Sequence, residues 1–523
     1  MNYFRTHILV ETDEASVQKG AREVLNALKK ELSKQKLDKE VNVLETGSLG
    51  YFERGICLAV YPDNIVYGEV GVSDIPELVE EHFLKGRPLR RLVLEKSEKK
   101  EIPLGYNKRI VLSNSGIIDP EEITDYLGVD GYRAWEKALT EMKPADVVDI
   151  VKASGLRGRG GAGFPAGLKW SFTAPLKDVQ KYVVINADEG EPGTFKDRLI
   201  MEGDPHRLIE GTMLAAYAVG ATEAFIYIRG EYKLCISRLQ RAIDQAYEYG
   251  LLGKNIFGTG VDLDMKIKIG AGAYVCGEET SLIESLEGNR GNPRSKPPFP
   301  GQKGVWQHPT VVNNVETIAN VPSIINKGAD WYKKIGTPES PGTKVYTVLG
   351  DVAVPGLCEA EMGTTLRTII NTYGGGMKKG TRFKAALVGG AAGVFLSDRM
   401  LDVKMDFHHL AEYKAVLGSG AILVINDSIN IVDVLESVIR FFRHESCGKC
   451  VPCRVGNEQL YKSIRKIKAG LAGEDELDKM ISVSETMNKT SFCALGQSPL
   501  MPIKSAIEMF RDDFLVYIKQ KMK

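Results

Sequence analysis

The sequence predicts a multidomain α/β chain that closes in an all-helical unit. Three observations carry this. At 523 residues the chain exceeds the roughly 250–300 residues at which single cores stop growing. Short apolar runs bounded by turn residues alternate with helical stretches over most of its length. After Asn430 the apolar spacing turns helical and stays so.

Taken in order, His7-Ile-Leu-Val reads as a strand and Ala21-Arg-Glu-Val-Leu-Asn-Ala-Leu as a helix. Val41-Asn-Val-Leu, Cys57-Leu-Ala-Val-Tyr and Ile65-Val-Tyr are further strands, and Ile75 to Phe83 a helix. Runs of this length between turns suit a buried sheet. The charged stretch from Leu94 to Glu101 reads as a linker. A glycine-rich middle region spans about Gly131 to Lys327, with a helix over Pro144–Ser154 and a strand at Val183. Lys344-Val-Tyr-Thr-Val-Leu-Gly, Ala385-Ala-Leu-Val-Gly-Gly and Ala421-Ile-Leu-Val-Ile predict a small α/β unit. Helices are expected over Val432–Phe442, Glu458–Ile467, Glu474–Asn488 and Ile503–Phe514.

Lys plus Arg balances Asp plus Glu at 68 each, so net charge points to no nucleic-acid partner and no membrane surface. No apolar run approaches the ~20 residues of a membrane span, so no direct membrane insertion is expected. The start, Met1-Asn-Tyr-Phe-Arg-Thr-His, lacks the basic-then-apolar pattern of a secretory signal. Cys57, Cys235, Cys276 and Cys358 stand apart and form no disulfide framework, which points to a reducing cytoplasm.

Chemistry concentrates at three places. Cys447-Gly-Lys-Cys450-Val-Pro-Cys453 sets three thiols at two-residue spacing, and Cys493 is the only cysteine after them. Four thiolates so arranged suit a [4Fe–4S] cluster. A structural zinc site is the alternative, although it usually pairs its cysteines as two Cys-x-x-Cys units. Second, Gly155-Leu-Arg-Gly158-Arg-Gly160-Gly-Ala-Gly163 contains a G-x-G-x-x-G pattern, but a helix precedes it where a dinucleotide fold wants a strand. Its glycines still let backbone N–H groups approach a phosphate or a flat ring, with two arginines and Lys169 to supply charge. A purely structural glycine loop is the alternative. Third, three polar turns lie in the same region: Asn186-Ala-Asp188-Glu189-Gly-Glu191, Tyr274-Val-Cys276-Gly277-Glu278-Glu279 and Asn313-Asn314-Val-Glu-Thr317. Each alone reads as a capped turn; together, beside a phosphate-type loop, they suit a polyol phosphate. Cys276 reads as a small buried residue, since no histidine lies near it in sequence.

The stretches Gly155–Trp170, Asn186–Thr194, Tyr274–Thr280 and Glu445–Arg454 resemble the NADH-binding flavoprotein subunit of respiratory complex I and its relatives in NAD-linked hydrogenases and formate dehydrogenases. The resemblance covers roughly Gly131 to the end of the chain. It implies FMN held by Gly158, Gly160, Lys169, Asn186, Asp188, Glu189, Tyr274, Gly277, Glu278, Glu279, Val312, Asn313, Asn314 and Thr317. It places NADH near Phe164, Phe172 and Phe299, with Glu191 and Lys296 on its polar parts. A carboxylate at Glu191 accepts from free ribose hydroxyls but repels a 2′-phosphate, which favours NAD over NADP.

The implied architecture is a thioredoxin-like domain over 1–95, a linker over 96–130, a Rossmann-like FMN- and NADH-binding domain over 131–340, a ubiquitin-like domain over 341–428 and a helical [4Fe–4S] domain over 429–523. The N-terminal part resembles the [2Fe–2S] domain of hydrogenase-type relatives through Thr46-Gly47, Tyr61-Pro-Asp and Glu80–Arg87. The four cysteine positions of that domain fall on Glu11, Ser16, Ser48 and Phe52. Oxygen donors suit such clusters poorly and phenylalanine cannot ligate, so one [4Fe–4S] cluster is expected in all. No appended ferredoxin-like tail is expected after Cys493. The implied partners are a small [2Fe–2S] thioredoxin-like subunit and an iron–sulfur catalytic subunit, a hydrogenase or a formate dehydrogenase, in a hetero-oligomer. A cluster-bearing scaffold without nucleotide, or a redox sensor, are the rival readings.

Overall fold

The computed structural model describes residues 4–51, 53–94, 109–177 and 179–519. Its first sheet is built from β1 (Thr6–Glu11), β2 (Val41–Thr46), β3 (Leu58–Tyr61) and β4 (Ile65–Tyr67), in the order β2-β1-β3-β4. β1 and β2 run parallel because α1 (Ala21–Lys34) crosses between them. The apolar stripe Val24, Leu25, Leu28 and Leu32 of α1 buries against Ile8, Val10, Leu58 and Val60. The helix expected over Ile75–Phe83 is α-helical only in α2 (Ile75–Leu78) and then widens into a π-helical turn, Val79–Leu84. His82 and Phe83 of that turn are both buried, their rings stacked at 4.7 Å.

The expected linker over 96–130 needs correction. Its charged start, Glu95 to Glu101, lies outside the described residues. From Arg109 onward the chain packs into the main core instead of bridging solvent. Ile110, Val111 and Leu112 are at most 2% exposed, and their backbone N–H groups donate to the Glu359 carboxylate at 2.8, 3.2 and 2.9 Å. A further helix, α3 (Ile123–Gly128), follows. The apolar content of Ile110-Val-Leu and Ile118, all in the main core, is the physical reason.

Two helices, α4 (Pro144–Ala153) and α5 (Ala166–Thr173), flank the glycine loop. The main sheet then runs through β5 (Tyr182–Ala187), β6 (Glu223–Arg229), β7 (Gly253–Ile256), β8 (Val261–Gly270) and β9 (Thr310–Asn314), in the order β7-β8-β6-β5-β9. All neighbours are parallel except the edge strand β7. Crossovers between these strands include α6 (Lys196–Gly203), α7 (Pro205–Val219), α8 (Lys233–Glu248) and α9 (Glu279–Leu286). Parallel strands buried on both faces explain the uninterrupted apolar run of β5. Val183 and Ile185 enter the core on the side of α7, while Tyr182 and Val184 enter the core shared with the C-terminal helices. α10 (Val315–Ala319) follows β9 directly.

A second mixed sheet comprises β10 (Thr343–Gly350), β11 (Gly356–Glu361), β12 (Phe383–Val388), β13 (Val394–Ser397) and β14 (Ala421–Asn426), in the order β11-β10-β14-β12-β13. The chain ends in α11 (Ile431–Glu445), α12 (Val451–Lys468), α13 (Asp475–Thr490), α14 (Leu500–Met509) and α15 (Arg511–Lys519). Two expectations shift here. α12 begins seven residues before Glu458, with Pro452 in its first turn where a missing N–H costs nothing. The helix expected over Ile503–Phe514 breaks at Phe510, whose φ of −131° and ψ of 37° leave the helical region.

Candidate functional site

Asn186, Asp188, Asn313 and Asn314 all lie at the carboxyl ends of β5 and β9, the edge at which open parallel sheets take ligands. The glycine loop enters from α4 rather than from a strand. It closes on itself through Gly158 N–H to Phe164 O at 2.9 Å and Ala166 N–H to Leu156 O at 2.8 Å. A Cβ at Gly160 would stand 2.9 Å from the Asn314 Cβ, so the loop lies directly against the β9 turn. Gly163 has a φ of +67°, and a Cβ there would meet the Phe407 ring at 2.3 Å.

Neither arginine of the loop supplies the charge that the sequence led us to expect. Arg159 is fully buried and donates to Thr343 O, Pro341 O and the Tyr332 hydroxyl at 2.9, 2.7 and 3.1 Å. Arg157 donates to Gly163 O at 2.7 Å and lies 4.3 Å over the Phe407 ring. Both stitch the loop to its surroundings. The cations of the cleft are Lys169 and Lys296. Lys169 Nζ lies 3.0 Å from Val312 O and 3.4 Å from Glu279, and Lys296 Nζ lies 2.7 Å from Glu278 and 2.8 Å from Glu279. Burial alone would raise the Glu279 carboxyl, but the two lysines outweigh it and hold it below the ordinary range.

The polar turns divide into groups already committed and groups still unmatched. The Glu189 carboxylate accepts from Asp197 N–H and Arg198 N–H at 2.9 and 3.0 Å, capping α6, and its backbone carbonyl accepts from Arg229, so both are already committed. Glu278 caps α9 and Asn314 caps α10. Asn313 accepts from Trp170 Nε1 at 2.8 Å, and Thr317 Oγ1 accepts from Arg159 N–H at 2.8 Å. Asn186 donates to Gly277 O at 2.8 Å, which ties the β5 turn to the Tyr274–Gly277 turn. Glu191 accepts from the Tyr274 hydroxyl at 2.7 Å and from Ala391 N–H. Burial nevertheless pushes the Glu191 carboxyl up. Asp188 stands apart: it is 8% exposed, and neither carboxylate oxygen has a partner among the described residues. Burial lifts it to about 7, with Arg229 pulling the other way and Glu231 and Glu445 adding to the rise. A buried orphan carboxylate beside the Tyr274–Gly277 turn, where a Cβ at Gly277 would stand 3.9 Å from its oxygen, is what a ligand rich in hydroxyls would satisfy.

Phe164, Phe172 and Phe299 are 46%, 60% and 56% exposed, unusual for rings of that size. The Thr173 hydroxyl donates to Gly301 O at 3.4 Å, which holds the segment bearing Phe299 against the helix bearing Phe172.

Cys447, Cys450, Cys453 and Cys493 line one pocket, together with Val275, Pro293 and Phe492. Cys450 is the N-cap of α12, Cys453 lies in its first turn, and Cys493 precedes a short helical turn at Ala494–Gln497. A Cβ at Gly496 would stand 2.8 Å from the Cys453 Cβ, so glycine there lets the fourth ligand segment close in. The Ser446 hydroxyl is 3.2 Å from Cys453 Sγ, and Asn457 Nδ2 donates to the same sulfur at 3.4 Å. Among the described residues no three His, Cys, Asp or Glu donors gather to hold a single metal ion. Four thiols spread around one pocket suit a cubane with one iron per thiol better than a tetrahedral zinc.

One wall is common to both places. Val275 lines the cysteine pocket, while its neighbours Tyr274 and Gly277 bond to Glu191 and Asn186 of the cleft. Sequence reasoning missed Trp170, Asp197, Glu445 and Asn457. Only Asn457 had a local signal, at four residues from Cys453 on one helix face.

In the N-terminal sheet, Glu11 and Ser48 do meet, at 2.8 Å, and Glu11 also accepts from Leu49 N–H at 2.8 Å. Ser16 turns instead to Asp13 at 3.1 Å. Phe52 lies outside the described residues. Burial, then Asp13, lifts Glu11 to about 8.

A phosphate-type cleft and a four-thiol pocket on one shared wall define an electron-transferring flavoprotein of the iron–sulfur class. Comparison with known proteins agrees. The family model of the Nuo51 FMN-binding domain matches residues 151–323, and that of the NADH-ubiquinone oxidoreductase-F iron-sulfur binding region matches residues 433–517. The NADP-reducing hydrogenase subunit HndC of Solidesulfovibrio fructosivorans is 49% identical over 425 residues, covering 81% of this chain and 85% of its own. The NADH-quinone oxidoreductase F 2 subunit of Rhizobium meliloti (strain 1021) is 46% identical over 412 residues, covering 79% of this chain and 98% of its own. A crystal structure of NAD+-reducing [NiFe]-hydrogenase in the H2-reduced state matches with a TM-score of 0.70 at 31% identity, covering 98% of this chain and 84% of that one. The chain belongs to the family of NADH-binding FMN and iron–sulfur subunits of complex I and of NAD(P)-reducing hydrogenases. Its cofactors are FMN and a [4Fe–4S] cluster, and NADH is its substrate. No helix among the described residues is long and apolar enough to cross a membrane.

Proposed function

We propose that this chain is the nicotinamide-side subunit of a cytoplasmic hydrogenase-type complex, exchanging electrons between NAD(H) and an iron–sulfur partner in either direction. The observation that carries it is the shared wall at Tyr274–Gly277, which sets the flavin cleft and the cysteine pocket back to back. Bound FMN and cluster supply the conversion between two-electron hydride exchange and one-electron transfer. The chain's own residues do the rest. The glycine loop with Lys169 holds the phosphate; Asn186 and Asp188 take ribityl hydroxyls; Glu279 sits between the two lysines. Phe164, Phe172 and Phe299 cover the nicotinamide and exclude water, Lys296 faces its polar groups, and Glu191 disfavours a 2′-phosphate. Cys447, Cys450, Cys453 and Cys493 hold the cluster, with Ser446 and Asn457 bonded to one sulfur.

A hydrogenase assembly is favoured over complex I by the solved hydrogenase chain, which matches 98% of this chain at a TM-score of 0.70, and by the HndC subunit, 49% identical over 425 residues. A formate dehydrogenase partner is the second reading. The N-terminal unit is read as a thioredoxin-like domain without cluster ligands, and residues 341–428 as a ubiquitin-like domain. A small [2Fe–2S] subunit and an iron–sulfur catalytic subunit complete the hetero-oligomer.

The test is anaerobic purification, quantification of flavin, iron and zinc, and titration with NADH under visible spectroscopy. One FMN and about four irons per chain, bleached by NADH, is the expected result. Zinc without flavin would overturn the reading, and about two extra irons would return a cluster to the N-terminal unit.

A further inference from the structure

Four ionisable side chains meet in the interior beside the cleft: Lys196 and Asp197 of α6, Glu316 of α10 and Lys344 of β10, none more than 3% exposed. Lys196 Nζ lies 2.6 Å from Asp197 and 3.0 Å from Glu316. Lys344 bonds Glu316, which also accepts from Val345 N–H at 2.8 Å. A group this dry adds little net stability, because desolvation offsets the Coulomb attraction. Its geometry points to another use.

Asp197 is where the network reaches the cleft. One of its oxygens accepts from Lys196 and from Glu316 N–H at 3.2 Å; the other accepts from Asn314 Nδ2 at 2.6 Å. The Asn314 oxygen takes Thr317 N–H at 3.4 Å, so the amide has only one orientation that satisfies both ends. The glycine loop rests on this same turn twice, through Gly160 against Asn314 and through Arg159 N–H to Thr317 Oγ1. Any movement of the turn therefore moves the loop.

We propose that Asp197, paired with Lys196, is a positioning residue that fixes the glycine loop through Asn314 and so sets its grip on the phosphate end of the flavin. This rests on reading the loop as the phosphate site. All three partners of the Asp197 oxygens are donors, so an amide in its place must turn an N–H toward one of them.

The experiment compares FMN with riboflavin, which lacks the phosphate, on the full chain after reversible flavin removal. Asp197→Asn is expected to weaken FMN roughly tenfold, the loss of one bond to a charged group, with riboflavin affinity unchanged. Lys196→Met, which leaves the carboxylate but removes its partner, is expected to act in the same direction and is read alone if Asp197→Asn does not fold. Equal weakening of both ligands with a lower unfolding temperature of the flavin-free chain would overturn the proposal, as would unchanged FMN affinity. Failure of both variants to fold would assign the network to folding and overturn it too. Wild-type chain that binds neither ligand would instead refute the flavin reading of the cleft.

Discussion

The orphan carboxylate of Asp188 permits the sharpest test of the cleft. Burial raises it from its ordinary 3.8 to about 7 in the flavin-free chain. The folded state thus keeps a proton that the unfolded state releases. The stability contributed is complete below the unfolded value and is lost as pH rises toward 7. At 1.36 kcal/mol per unit, the loss totals about 4 kcal/mol, of which about 2–3 kcal/mol falls between pH 5 and pH 8. Glu11, Glu189 and Glu202, lifted to about 8, 7 and 7, titrate in the same window, so wild-type stability alone cannot isolate Asp188. Asp188→Asn isolates it. The cost of a buried amide without partners, about 1–3 kcal/mol, does not vary with pH and cancels between the two conditions. Urea unfolding of the flavin-free chain should therefore show the variant gaining about 2–3 kcal/mol on wild type from pH 5 to pH 8. Ligand hydroxyls donate to the charged carboxylate, so wild-type FMN affinity should rise with pH over this window and binding should release protons. Calorimetry in two buffers of different ionisation enthalpy reads that release. A stability difference independent of pH, or an equal pH dependence of FMN binding in the variant, would refute the reasoning.

Other outcomes follow from the same geometry. Cys493→Ala should remove cluster iron and slow transfer to the partner, while NADH-driven reduction of an artificial dye stays within about twofold, since the flavin's hydride exchange does not pass through the cluster; equal loss of both activities would end that division of labour. Glu191→Gln should raise the NADPH-to-NADH ratio of kcat/KM by roughly tenfold through loss of like-charge repulsion, and an unchanged ratio would remove Glu191 from selectivity. Gly167→Ala should cost about 1–3 kcal/mol in thermal unfolding, because its Cβ would stand 2.4 Å from the Lys152 Cα where α5 crosses α4.

Much of the framework was legible because its signals are local. The strands at His7, Val41, Val183, Lys344 and Ala421 announce themselves by short apolar runs, and the C-terminal helices by their spacing. The cysteines were legible for a similar reason: three thiols two residues apart reach one centre from a single stretch of backbone, and one candidate remained for the fourth. The segment at Ile110–Leu112 was not legible, because its partner Glu359 lies some 250 positions on and a carboxylate accepting three backbone N–H groups leaves no mark in the local pattern.

Within the cleft, residue types and spacing determined that a glycine loop, three polar turns and four thiols exist in this order along the chain. Only the tertiary structure decided what each does. Arg157 and Arg159 resemble phosphate ligands in sequence, yet they stitch the loop to its surroundings; Glu189 caps a helix; Asp188, one residue away, is left buried and unmatched. The difference lies in which donors arrive from elements distant in sequence and in how much water they displace. A polar side chain is indifferent to its neighbours in water and strongly selective once dry, so its role is settled at packing.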